Sequence, residues 1–353
     1  MRILQIAPPW FRVPPESYGG IELMASVLAD GLARAGHDVT LVASGGSRTE
    51  ARLVSVFNEP PTAELGNAFI EAAHVLAGYF EAGSYDVVHD HNDVVGTALG
   101  AVCVSTPVIH SLHYGLTEDR LRLYRSVSGH SHLVAISHHQ AGRLPPEVRL
   151  AGVVYNGIPI DRYPFREEKE DFLLFVGRAN REKGPEVAVE VAGRLGKPLF
   201  MVIKVNEPYE VVYWKEVVEP LLDKVDVTVF HHAGPEETAD LMGRARVVLL
   251  PLQWPEPFGL VMAEANACGT PVVAFACGAA PEIIADGRSG YLVEPGDIDG
   301  FCTAVARAGS LDPRACRDNV AKNFTDRQMI DGYLQVYADA IAHHVRPDPS
   351  ATG

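Results

Sequence analysis

Short β-branched runs alternate with stretches of helical apolar spacing along the chain. Residues 2–7, 38–42, 86–89, 107–110, 132–136 and 152–155 read as strands rich in Val, Ile and Leu. Between them, residues 21–35 and 63–80 carry apolar positions at helical spacing, the first stretch ending at Gly36. Strands alternating with helices predict βα units and a parallel sheet. The pattern restarts after Asn156-Gly157-Ile158-Pro159 and the charged stretch 166–171, where a boundary between lobes is expected. A second strand series follows at 172–176, 199–203, 225–230, 246–250, 271–275 and 290–293, again interleaved with helices. The expected fold is α/β, two tandem doubly wound Rossmann-like domains, with ligands held in a cleft at the carboxyl ends of the strands. An N-terminal domain is expected over 1–160 and a second over 161–325. Residues 325–344 have helical spacing, so 326–345 is expected to form a last helix packing back toward the N-terminal domain. Arg346-Pro347-Asp348-Pro349 would be its frayed end.

A length of 353 residues suits two domains, each with its own core. Apolar residues make up 47% and charged residues 21%, and no run of eighteen apolar residues occurs, so a soluble protein without a membrane span is expected. The formal charge of −15 argues against nucleic acid as a partner, because phosphate binding needs an excess of Lys and Arg. It also disfavours tight docking to anionic lipid. The opening Met1-Arg2-Ile3-Leu4-Gln5-Ile6-Ala7-Pro8-Pro9 has too short an apolar run for a signal segment, so a cytoplasmic location is expected. Cys103, Cys268, Cys277, Cys302 and Cys316 are odd in number and lack metal-type spacing; reduced thiols are expected.

Two segments carry candidate chemistry. Gly177-Arg178-Ala179-Asn180-Arg181-Glu182-Lys183-Gly184 follows the 172–176 strand and precedes a helix. Glycine permits close backbone approach there, and Arg178 and Lys183 set two cations near a helix start, which itself favours anions. A diphosphate has the charge and the acceptors to use such a set, each charge-assisted hydrogen bond being worth about 1.5–3 kcal/mol. The bland alternative is a solvated charged turn. No GxGxxG fingerprint follows either first strand.

The second segment is Pro255-Glu256-Pro257-Phe258-Gly259-Leu260-Val261-Met262-Ala263-Glu264-Ala265. With a helix starting near Phe258, Glu256 sits at its N-terminal edge and Glu264 about 12 Å further along. That span matches the reach from a hexose across a diphosphate to a ribose. The free amides around Phe258, Gly259 and Leu260 would face the phosphates between the two acids. Alternatively, Glu256 complements the helix dipole and Glu264 is a surface acid.

Arg178 and Lys183, the Glu256/Glu264 pair, Ala267-Cys268-Gly269-Thr270-Pro271-Val272-Val273, Gly278-Ala279-Ala280-Pro281-Glu282 and Gly287-Arg288-Ser289-Gly290-Tyr291-Leu292-Val293 together resemble the donor-domain signature of family 4 glycosyltransferases with the GT-B fold. The resemblance extends through the first lobe in Tyr18-Gly19-Gly20-Ile21-Glu22, Ala35-Gly36-His37-Asp38-Val39, Val88-His89-Asp90-His91, Ser111-Leu112-His113 and Val154-Tyr155-Asn156-Gly157-Ile158. It implies that the first lobe holds the acceptor, a small molecule, lipid or glycan. The second would hold a nucleotide sugar, UDP- or GDP-linked, and the reaction would retain anomeric configuration without metal or cofactor. By the same resemblance Arg178 and Lys183 hold the diphosphate and stabilise the leaving charge, Glu264 binds the ribose, Glu256 contacts the sugar hydroxyls and His113 lies beside the sugar. Gly19 and Gly20 let backbone approach the donor phosphate; their alternative is a surface turn. With no evident first-lobe carboxylate as nucleophile, front-face displacement is implied.

The histidines offer a rival. His89-Asp90-His91-Asn92-Asp93, with His110 and His113, invites a metal-dependent hydrolase, although Val94 stands where a further His is expected. A sugar-nucleotide epimerase or a silent binder would share the fold. His138-His139 is expected to start a helix, His231-His232 to end a strand near the base, and His343-His344 to be solvated. The loops 204–213 and 230–235 are the expected seat of base and sugar selection, and 44–52 and 114–120 that of acceptor choice. The sugar, base, acceptor, linkage and oligomeric state stay open.

Overall fold

A computed structural model describes residues 1–16, 19–103 and 105–344; Ser17 and Tyr18 of the first glycine-bearing loop and the 346–349 end lie outside the described residues. The chain divides into two compact units, one formed by residues 1–157 with the helix Asp326–His343, the other by 158–325.

The first unit contains β1 (Arg2–Ile6), β2 (Asp38–Val42), β3 (Arg52–Val54), β4 (Val87–Asp90), β5 (Val108–Ser111), β6 (His132–Ala135) and β7 (Leu150–Val153). They form one parallel sheet in the order β3-β2-β1-β4-β5-β6-β7. The central strands are apolar because helices cover both faces of a parallel sheet. Ile3, Ile6, Val87, Val88 and Ile109 are all excluded from solvent. β3 is absent from the strand series expected above: it is three residues long and largely exposed at the sheet edge, so it has no apolar run to betray it. β7 starts two residues earlier than the expected 152–155, beside a register shift at Leu133 and Val134 of β6. The expected single helix 63–80 is a short turn, Thr62–Glu64, followed by the helix Ala68–Tyr79. Gly66-Asn67 separates them, and the Asn67 side chain caps the second by accepting from the Phe69 amide at 3.0 Å.

The second unit contains β8 (Leu173–Arg178), β9 (Leu199–Lys204), β10 (Val227–Phe230), β11 (Val247–Leu250), β12 (Val272–Phe275) and β13 (Gly290–Val293). Their order is β10-β9-β8-β11-β12-β13, again all parallel. The expected pair of doubly wound sheets is therefore what the chain forms. Leu173, Phe175, Met201, Leu249, Val273 and Phe301 build the core of this unit. Each such side chain contributes about 1.5–3 kcal/mol by leaving water.

The helix Asp326–His343 packs on the first unit's helix Gly20–Arg34 and on β4, β5 and β7. Its inner face is polar at two points. The Tyr337 hydroxyl lies 2.6 Å from His89 Nδ1, and the Tyr333 hydroxyl lies 2.5 Å from Ser111 Oγ. Ser111 Oγ is also 2.8 Å from His89 Nε2, so both ring nitrogens of buried His89 are engaged. Tyr337→Phe would leave one of them unpaired in the interior, at a cost of about 1–3 kcal/mol. Thermal unfolding of the variant should show the corresponding drop in Tm; an unchanged Tm would mean that this tie adds no stability.

Candidate functional site

In the second sheet the strand order reverses between β8 and β11. A crevice at that point is the usual ligand seat of such sheets. The loop after β8 carries Arg178 and Lys183; the loop after β11 carries Glu256. Hydrogen bonds join the two loops: the Gln253 amide donates to the Glu182 carbonyl at 2.8 Å, and Gln253 Nε2 donates to Glu186 at 2.6 Å. Buried Asn180 shapes the first loop, its Oδ1 accepting from the Lys183 amide at 3.1 Å.

This arrangement brings Lys183 and Glu256 into a direct ion pair with both side chains nearly buried, at 13% and 11% exposure. The Trp254 indole N–H donates to the same carboxylate oxygen at 2.8 Å, and the Lys183 ammonium stands 5.3 Å from the Trp254 ring centroid. A desolvated ion pair persists only when further hydrogen bonds support it, and Trp254 supplies one plus a cation–π contact. Trp254 was not singled out in the sequence; its place two residues before Glu256, between Gln253 and Pro255, was the available signal.

The helix of this segment runs Leu260–Ala267, with Gly259 as its N-cap, so it begins later than the expected start near Phe258. Glu256 therefore lies in the preceding loop, flanked by Pro255 and Pro257, and the 12 Å helical rise does not describe its separation from Glu264. Gly259 has φ +88°, a left-handed conformation that favours glycine. Phe258 turns into the core, edge-on to Phe324. The Glu256 backbone is held by the Gly278-Ala279-Ala280 segment: the Ala279 amide donates to the Glu256 carbonyl at 2.9 Å. Gly278 has φ +63°, and a Cβ there would lie 2.2 Å from the Glu256 nitrogen. The glycine is what allows the two backbones to touch.

Glu264 points elsewhere. Its carboxylate accepts from the Tyr163 hydroxyl at 3.0 Å, a partner the sequence did not reveal. The side chain is densely surrounded yet keeps an accessible edge, as a group lining a crevice does. Burial pushes its pKa up to about 7, the Tyr163 hydrogen bond pulling the other way.

Arg178, at the end of β8, donates from Nε to Glu210 at 2.5 Å and from Nη2 to the Tyr209 hydroxyl at 3.0 Å. Burial opposes its charge, but the negative charge of Glu210 and the neighbouring Tyr209 outweigh it, and its pKa is raised. Neither partner was identified from sequence. The pattern Glu207-Pro208-Tyr209-Glu210, an acid three residues after an N-cap acid, carried the signal for the helix start.

In the first unit, Gly19 is the N-cap and Gly20 the first residue of the helix Gly20–Arg34. Gly19 is extended, so its chain path does not demand glycine; a Cβ would instead meet Pro15 and Glu22 at 3.0 Å. His113 follows β5 and its Nε2 lies 2.9 Å from His91 Nδ1. Burial lowers the His113 pKa to about 4, and burial followed by its histidine neighbours holds that of His91 well below the ordinary value. His91 stacks on His89 with ring centroids 4.1 Å apart. The histidine-rich run is thus a buried network bonded to itself and to the last helix. Among the described residues no group of three or more His, Cys, Asp or Glu side chains is placed to hold a metal ion. His138 starts the helix His138–Gly142, and His231 follows β10 in edge contact with Trp214.

Two family profiles match the chain. The one described as Glycosyltransferase Family 4 covers residues 18–162, and the one described as Glycosyl transferases group 1 covers residues 159–324. Among curated proteins, glycogen synthase of Mycobacterium tuberculosis is 26% identical over 99% of this chain and 97% of its own. D-inositol 3-phosphate glycosyltransferase of Mycolicibacterium smegmatis is 27% identical over 77% and 72%. Among solved structures, AviGT4, a glycosyltransferase involved in avilamycin A biosynthesis, superposes with a TM-score of 0.74 at 24% identity, covering 97% of this chain and 98% of its own. HepE of Anabaena, in complex with UDP and glucose, gives 0.72 at 20% identity over 96% and 100%. Two parallel α/β units in the GT-B arrangement of fold, matched along residues 18–324 by these two profiles, identify the chain as a member of the family 4, group 1 glycosyltransferases.

Proposed function

We propose that the protein is a retaining hexosyltransferase that uses a nucleotide-diphosphate sugar, UDP- or GDP-linked, without a metal ion. The observation that carries this reading is the convergence of Lys183, Glu256 and Trp254 where the loops after β8 and β11 meet. Binding of UDP and glucose by HepE supports the donor class. In this reading the ammonium of Lys183 and the guanidinium of Arg178 hold the diphosphate. Glu256 exchanges part of its bond to Lys183 for the hydroxyls of the transferred sugar, and amides near Gly259 and Leu260 face the phosphates. Glu264 accepts from the ribose hydroxyls. The first unit takes the acceptor.

The acceptor oxygen attacks C1 on the face from which the diphosphate departs. The C1–O bond to the β-phosphate breaks, a C1–O bond to the acceptor forms, and the leaving phosphate oxygen takes the acceptor's proton. Charge accumulates on the diphosphate as this happens, and two fixed cations stabilise it more than they stabilise the ground state. His113, held neutral by burial, is suited to hydrogen bonding rather than to proton transfer at pH 7. No helix among the described residues is long and apolar enough to cross a membrane. The reaction is assigned to the cytoplasm, where nucleotide sugars are made.

Lys183→Ala and Glu256→Ala should each lower kcat/KM by about 100-fold or more with circular dichroism unchanged, the loss typical of one removed charge stabiliser. Near-normal turnover in either variant would remove these roles. Turnover should persist in EDTA; a strict metal requirement would overturn the proposed charge stabilisation.

Glu264 gives a pH test. Its pKa in the fold, about 7, lies above its ordinary value, so the folded unit binds the extra proton below pH 7 and loses stability as pH rises through that value. The ionised carboxylate accepts from ribose hydroxyls more strongly than the neutral acid does. Nucleoside diphosphate affinity should therefore increase from pH 6 to pH 8 by up to about tenfold, the ratio of ionised fractions for a group titrating at 7. Calorimetric titration of wild type and Glu264→Gln checks it: the variant should be flat, and the same slope in both would refute the assignment.

A further inference from the structure

We infer that Glu210 is a positioning residue for Arg178, fixing the guanidinium so that its remaining donors meet the donor's diphosphate; this rests on the assignment of Arg178 to that diphosphate. Glu210 has no exposed surface. A carboxylate so buried is costly unless its acceptors are filled, and they are. Oε1 takes the Arg178 Nε–H at 2.5 Å, while Oε2 takes the backbone amides of Asn206 and Glu207 at 2.9 and 3.0 Å. The amides belong to the N-terminal turn of the helix Pro208–Tyr213, where Glu207 and Glu210 form a reciprocal capping box. The carboxylate is therefore anchored by its own loop before Arg178 is considered.

The choice of Nε matters. Arginine has several rotatable bonds and its fork can meet a phosphate in many ways. Held at Nε by Glu210 and at Nη2 by the Tyr209 hydroxyl, it keeps Nη1 clear of any protein hydrogen bond among the described residues. Asn180, two residues beyond Arg178, shapes the turn bearing Lys183, its Oδ1 accepting from the Lys183 amide. One acid thus sets the orientation of one cation through a contact on its inner edge. If Glu210 were only a helix cap, its exchange for a neutral acceptor would leave diphosphate binding untouched.

The test uses the full chain and calorimetric titration with UDP, GDP, ADP and TDP, the tightest binder then serving throughout. Arg178→Ala should weaken binding by about tenfold or more. Glu210→Gln keeps one oxygen for the loop amides but turns an NH2 toward Nε, and should weaken binding by about tenfold in the wild-type background and by less than about twofold in Arg178→Ala. Arg178→Lys keeps the charge and lacks the Nε–H, so it should bind about as weakly as Glu210→Gln; it carries the test alone if Glu210→Gln fails to fold. Wild-type affinity in Glu210→Gln, an equal loss in both backgrounds, or wild-type affinity in Arg178→Lys would overturn the inference while leaving the diphosphate assignment standing. Normal binding by Arg178→Ala would remove that assignment, and this inference with it.

Discussion

Each sheet reverses its strand order once, between β1 and β4 in the first unit and between β8 and β11 in the second, and the meeting of Lys183 with Glu256 depends on that second reversal. Two adjacent parallel strands whose following helices lie on opposite faces cannot close the gap between their exit loops. In the second unit the gap is spanned by side chains from distant segments: Lys183 reaches Glu256, 73 residues away, and Gln253 reaches Glu186, 67 residues away. In the first unit the β4 exit carries His91 and Asn92, whose groups bond back to the end of β1 at Ile6. Without the reversal these loops would be covered by helices and the polar groups would have no room.

The charges at this point are balanced locally. Lys183 is matched by Glu256, Arg178 by Glu210, and Glu264 by a neutral phenol, Tyr163. For Arg178 the cost of burial is outweighed by the charge of Glu210, which raises its pKa. The unmatched case is Glu264, and its raised pKa follows from that. In the proposed reaction a diphosphate would meet two cations already held in place, so little reorganisation would be needed as charge develops.

The alternation of strands and helices was legible because parallel strands buried on both faces read as continuous apolar runs. β3 was not, since three exposed edge residues carry no such run. Arg178, Lys183, Glu256 and Glu264 could be picked out by residue type and spacing. Their partners could not: Tyr163 lies 101 residues from Glu264 and Glu210 lies 32 from Arg178, contacts made by topology rather than by local pattern. The position of Glu256 off the helix was readable in principle, because Pro255 and Pro257 on either side disfavour a helical start there. Histidines spaced as if for a metal belong instead to a buried hydrogen-bonded stack, a distinction that depends on Tyr333 and Tyr337 arriving from the far end of the chain.

That stack makes the first unit a proton-sensitive element. His89 and His91 of the stack, with His74 of the helix Ala68–Tyr79 and His110 of β5, are buried, and burial holds all four below the usual histidine range. Their neutral forms suit the fold, while the unfolded chain takes up protons below about pH 6.5. Stability is thus fully present above that pH and drains away as pH falls, at about 1.4 kcal/mol per pH unit for each histidine that charges only on unfolding. The second unit, whose core is apolar, has no such reservoir in its interior, so acid would act on the two halves of the chain unequally.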